Sequence, residues 1–143
     1  MIFLIAFLLA AAVVVIHYEM LFAIAKFTHK KKRAHRYDML IVVSGVTLAH
    51  LLEAWFFAVT YWLRTEYLRL DHFVYENPKH FFDYFYFSLE TYTTLGYGDL
   101  YLTGQGRLLS SMEGLMGLLL LGWSASFILL ILKEKWDKGV IKK

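Results

Sequence analysis

The sequence has no cysteine and a single proline. The first absence excludes disulfide scaffolds, thiolate metal sites and cysteine nucleophiles. With one proline and no low-complexity tract, disorder does not describe the chain as a whole. Charge is also scarce: Asp, Glu, Lys and Arg make up 19% of 143 residues, against 59% hydrophobic and 18% aromatic. A soluble domain of this size has too small a core for that much apolar material and would expose large apolar patches. No nucleophile–base pair, metal motif or phosphate-binding loop is present, so an enzyme is not expected.

What is present is three long apolar runs. Counting acidic, basic and histidine side chains, residues 1–25 carry only His17 and Glu19 as interruptions, 39–63 only His50 and Glu53, and 108–132 only Glu113. Each is long enough to cross a hydrocarbon layer of about 30 Å as a helix. The first run lacks the basic start of a signal peptide and is expected to be retained as a span. The formal charge of +3 is unevenly placed. Segment 26–38 holds six Lys or Arg and one Asp, the tail 133–143 holds five Lys and two acids, and 64–80 holds three of each sign. The positive-inside rule then places the N-terminus outside, 26–38 inside, 64–107 outside and the C-terminus in the cytoplasm, in a multi-pass cell-membrane protein. The run Lys30-Lys31-Lys32-Arg33 is expected to face anionic lipid at the cytoplasmic side, with no nucleic-acid partner. Trp62 and Trp136 fall near span ends, as interfacial anchors do.

Between the second and third spans lies a segment that is neither span nor ordinary loop. After Asn77-Pro78, residues 81–93 form an aromatic helical stretch too short to cross a membrane. Thr93-Thr94-Leu95-Gly96-Tyr97-Gly98-Asp99 follows, with glycines at alternate positions that permit backbone angles other residues avoid. Irregular backbone at membrane depth is tolerated only inside protein or beside a water-filled path. A short helix returning through such a strand is a re-entrant pore loop.

The string from Ser88 to Tyr101, SLETYTTLGYGDLY, resembles the pore signature of bacterial two-helix potassium channels, and TTLGYGD within it resembles their selectivity filter. Gly106-Arg107 stands where the inner helix of that family opens. The resemblance implies an all-α membrane protein with three transmembrane helices, a re-entrant pore helix and a filter loop, assembled as a four-fold homotetramer. The implied parts are an outer helix 39–63, an outer loop 64–80, a pore helix 81–93, a filter 94–99 and an inner helix 107–132, preceded by an extra helix 1–25.

The implied function is passive, potassium-selective conduction. Potassium ions in the filter would be held by backbone carbonyls of Thr94, Leu95, Gly96 and Tyr97 and by the Thr94 hydroxyl, with Gly98 completing the strand; no organic cofactor is implied. Tyr97 would brace the strand against pore-helix aromatics such as Tyr86 and Phe87, and Glu90 and Asp99 would pair behind it. Gly117 falls at the family's hinge, Leu118, Leu121 and Ala125 toward the cavity, and Leu129 near the cytoplasmic constriction. The sequence departs from the family at Leu95 (usually Val or Ile), at Tyr86 and Phe87 (often a tryptophan pair), at Leu102 (commonly proline) and in its extra first span. A non-selective cation channel and a non-conducting membrane adaptor are the alternatives.

Polar residues inside spans are candidates for function. Glu113 is expected to hydrogen-bond Thr91, Tyr92 or a second-span residue. His50 and Glu53 share a helix face at i, i+3. With His17 and Glu19 they have the composition of a metal site or proton relay, although polar packing between the first helix and the pore unit is the expected role. No span has the regularly spaced Arg or Lys of a voltage sensor, and the eleven residues of 133–143 are too few for a ligand-sensing domain. Candidate gating stimuli are pH, lipid and tension; His29, His35 and Glu134 at the cytoplasmic side resemble the layout by which relatives of that family open in acid.

Overall fold

The computed structural model describes residues 2–29, 35–75 and 80–140, without the side chains of His29, His35, Tyr75 and 137–140. The basic run at 30–33 and Asn77-Pro78 therefore lie outside the described residues, as do the side chains of His29 and His35. Four helices carry the architecture: α1 (Ile2–His29), α2 (His35–Trp62), α3 (Phe81–Tyr92) and α4 (Gly106–Val140). Helices α1, α2 and α4 are each long and apolar enough to cross a membrane. Helix α3 is not, and it packs between α2 and α4 while α1 lies against α2 and α4.

Each long helix buries a narrow seam and leaves apolar side chains exposed elsewhere. On α1 the seam is Ile2, Ala6, Ala10, Val13, His17, Leu21, Ile24 and Thr28. Its steps of three and four residues keep these side chains on one helix face. Small residues permit close approach: a β-carbon on Gly45 of α2 would lie 2.8 Å from Ile24 Cδ1 of α1. The faces left open carry Phe3, Leu4, Phe7, Leu8, Leu40 and Leu48, which suits lipid.

Helix α4 runs on as helix beyond the apolar stretch 107–132, to Val140. Near its C-terminal end Lys135 Nζ lies 2.6 Å from Asp38 Oδ2 of α2 and donates to the Thr28 carbonyl of α1 at 3.3 Å. Helix α2 continues through one π-helical turn, Leu63–Tyr67. From that turn Arg64 Nε donates to Asp71 Oδ2 at 2.6 Å, with both side chains buried. Asp71 Oδ1 in turn accepts the Gly106 amide at 2.9 Å, which caps α4. A β-carbon at Gly106 would lie 2.8 Å from the Asp71 carboxyl carbon, so glycine is needed at the mouth of this helix.

A two-stranded antiparallel ribbon was not anticipated from the sequence. Strand β1 (Phe73–Tyr75) pairs with β2 (Leu100–Leu102) in the register Phe73 to Leu102 and Tyr75 to Leu100. The ribbon ties the segment before α3 to the segment after the glycine-rich strand. Phe73 and Leu102 are buried in the main core with Tyr61, Tyr84, Phe87 and Leu109. Phe73 meets Phe87 and Tyr84 edge-on, with ring centroids 5.0 and 5.6 Å apart, and Tyr61 meets Phe87 at 5.1 Å.

Candidate functional site: the pore loop

Helix α3 starts with a reciprocal cap in which the His80 amide donates to Asp83 Oδ2 at 3.0 Å. It ends at Tyr92, pressed against α4. A β-carbon on Gly117 would fall 1.9 Å from the Tyr92 carbonyl oxygen, and one on Gly114 would fall 3.3 Å from the Thr91 carbonyl oxygen. These two glycines let the end of α3 sit on the α4 backbone. The position assigned as a hinge by resemblance thus has a packing reason to be glycine.

The chain then folds back from α3. The Glu90 carbonyl accepts the Leu95 amide at 2.9 Å and the Gly96 amide at 3.4 Å, while the Thr94 amide donates to the Thr91 carbonyl at 3.0 Å. Along the strand, φ is +58° at Thr94, +52° at Gly96 and +80° at Gly98, whereas Leu95 and Tyr97 have negative φ. Glycine takes such angles without steric cost; Thr94 is a β-branched residue held in that region, at a cost of roughly 1–3 kcal/mol. Leu95 and Tyr97 are 59% and 70% exposed in the single chain. Among the described residues no ring of the same chain packs on Tyr97, so Tyr86 and Phe87 do not brace it from within the subunit.

A third residue stands between the carboxylates at the two ends of the strand. Glu90 is buried, Asp99 is exposed, and no direct hydrogen bond links them. Tyr86 Oη donates to Asp99 Oδ2 at 3.0 Å, and the Glu90 carboxyl group lies near the same hydroxyl. The two carboxyl groups push the phenol above its ordinary pKa, so Tyr86 stays a donor. Asp99 Oδ1 accepts the Leu100 amide at 3.0 Å, which fixes the turn into β2. Behind the strand a cleft of about 470 Å³ is lined by Glu90, Thr91, Thr94, Tyr101, Arg107 and Ser111 among others.

Glu113, fully buried on α4, accepts from Tyr61 Oη of α2 at 2.5 Å and contacts Ser88 Oγ of α3. Of the alternatives Thr91, Tyr92 or a second-span residue, the partner is the second-span Tyr61, and Ser88 is a further contact that the sequence reading does not name. Ser88 Oγ also lies 2.6 Å from the Ala54 carbonyl oxygen. One hydroxyl proton cannot serve two acceptors, so the set is satisfied when Glu113 carries a proton and donates to Ser88. Leu118, Leu121 and Ala125 are exposed on one face of α4, beside the buried seam of Glu113, Gly117, Leu120 and Ser124. Leu129 is also exposed. His17, His50 and Glu53 converge in one buried cluster, whereas Glu19 is exposed and takes no part.

No curated protein and no solved structure matches the chain significantly. A family model described as "Ion channel" matches residues 39–134, from α2 through most of α4, and the chain belongs to that pore-domain ion channel family.

Proposed function

We propose that the protein is a potassium-selective channel, a homotetramer of the cell membrane that conducts K⁺ passively through residues 94–99. The carrying observation is the alternation of φ sign along that strand, positive at Thr94, Gly96 and Gly98 and negative between them. Alternating near-mirror-image residues lets successive carbonyls face one side, the arrangement that replaces the hydration shell of a potassium ion. One chain supplies one such strand, and four are needed for a closed ring. The exposure of Leu95 and Tyr97 and the open cleft behind the strand support an assembly in which adjoining copies cover these surfaces.

Helix α3 aims its C-terminal end toward the start of the strand. Four such ends would place partial negative charge below the filter and favour a cation there. The exposed face of Leu118, Leu121 and Ala125 lines the cavity beneath, and Leu129 lies nearer the cytoplasmic mouth. The N-terminus is outside and the C-terminus inside, with the basic segments facing anionic lipid.

The test is ion flux from liposomes containing the purified protein, together with its oligomeric size in detergent. Potassium efflux much faster than sodium efflux from a tetramer is expected. Equal rates would make it a non-selective cation channel, and no flux a non-conducting adaptor; either result overturns the proposal.

A further inference from the structure

A buried polar cluster among the described residues draws side chains from all four helices, α1 included. His17 of α1 and Glu53 of α2 are fully buried there, with Nδ1 2.8 Å from Oε1. His50, one turn before Glu53, places its Nδ1 3.2 Å from Oε2. Tyr92, the last residue of α3, donates to Glu53 Oε2, and its hydroxyl lies 2.8 Å from His50 Nδ1. From α4, Ser124 Oγ meets the far nitrogen of both rings, 3.0 Å from His50 Nε2 and 3.2 Å from His17 Nε2.

We propose that His17, His50 and Glu53 form a binding site for a divalent transition-metal ion of the zinc class, held by Nδ1 of both imidazoles and a Glu53 carboxylate oxygen. One ligand atom from each of the three lies within 4.8 Å of the others. Around a tetrahedral ion with bonds of ~2.0–2.1 Å, ligand atoms sit about 3.3 Å apart, so small side-chain adjustments close the site. The Tyr92 hydroxyl completes a four-donor set. Two nitrogens among oxygens suit zinc, whereas magnesium and calcium favour oxygen alone.

The outer contacts argue for the same occupant. With both Nδ1–H groups turned to an ionised Glu53, both Nε2 atoms become acceptors facing Ser124, whose one hydroxyl proton serves only one of them. An ion on Nδ1 reverses both tautomers. Each ring then donates Nε2–H to the Ser124 oxygen, which has two acceptor sites, and the cluster is satisfied. A metal-bound histidine that donates its other nitrogen to a fixed oxygen is the usual supporting arrangement. The Trp123 ring lies 5.4 Å from the His17 ring, while the His50 side chain remains 14% exposed, which leaves an approach for the ion. An ion here would pin the first helix to α2, α3 and α4, two residues ahead of Thr94.

The test is binding of Co²⁺ and Zn²⁺ to the chelator-stripped, full-length protein in detergent. The expected result is saturable Co²⁺ binding at one ion per chain with the strong visible absorption of four-coordinate cobalt, displaced by Zn²⁺, and a Zn²⁺-dependent rise in unfolding temperature. His17→Gln and His50→Gln should each weaken binding at least tenfold. Ser124→Ala keeps every ligand, guards against misfolded ligand variants, and should weaken binding by roughly tenfold through its loss as acceptor. No saturable binding by the wild-type protein overturns the proposal, as does binding unchanged in both histidine variants. The readout is metal binding, so it stands or fails separately from conduction.

Discussion

The Tyr92 carbonyl oxygen occupies the space a β-carbon on Gly117 would need, 1.9 Å from its ideal position. The contact is backbone to backbone, so no side-chain rotation relieves it. Gly117→Ala must push the end of α3 away from α4, and with it the turn that sets Thr94. Flux through the proposed channel is expected to fall to near background, with loss of the proposed tetramer in detergent. Gly122, five residues on, has nothing within 4 Å of a β-carbon, and Gly122→Ala should leave both readouts intact. Equal tolerance of the two alanines would show that the close approach is not needed.

Glu113 tests the proton count among Tyr61, Ser88 and Ala54. Glutamine is neutral, and its amide can donate to Ser88 while its oxygen accepts from Tyr61. Glu113→Gln is therefore expected to keep thermal stability within about 1 kcal/mol of the native protein. Glu113→Ala leaves the Tyr61 donor and Ser88 without their partner in a dry site, and should cost roughly 2–5 kcal/mol. If glutamine proved as damaging as alanine, the charge rather than the hydrogen-bond pattern would matter.

The spans were legible because length and hydropathy alone define them, and the pore loop because its glycines interrupt that pattern. The packing seams were not. A helix apolar on every side has no amphipathic face, so nothing distinguishes buried Val13 from exposed Val15. Some polar residues mark the seams: His17, Glu53, Glu113 and Ser124 all lie on one, although Glu19 in the same kind of run is exposed. Their convergence could not be read, because it depends on how four helices are set beside one another. The ribbon of 73–75 and 100–102 was missed for a related reason. Three-residue strands pairing across more than 20 residues of sequence leave no periodicity to detect, and Asp71 as the cap of α4 is equally non-local.

Tyr86 stands between the two carboxyl groups that resemblance paired directly. Tyr86→Phe removes the donor to Asp99 and the hydroxyl that Glu90 approaches, and leaves the backbone strand untouched. The expected outcome is no change in the potassium-over-sodium preference proposed for the channel, with a changed time course of flux as the strand loses one tether. Selectivity and time course both identical to the native protein would show that this contact does not constrain the filter.

At the opposite end of the bundle, Asp38 is buried with one carboxylate oxygen bound to Lys135 and the other without a partner among the described residues. The pair joins α2 to α4, and Lys135 also reaches the carbonyl of Thr28 on α1. Removing the cation alone strands a buried carboxylate, so Lys135→Met should cost about 3 kcal/mol or more of stability. Asp38→Asn removes the charge as well, and the double variant should recover much of that loss. A thermal double-mutant cycle therefore ought to show coupling of roughly 1–3 kcal/mol, with the double variant more stable than Lys135→Met by itself. Simple additivity would mean that solvent at the helix ends already screens the pair, and that α4 is held to α2 by its apolar seam at Val42, Val46 and Ile131 instead.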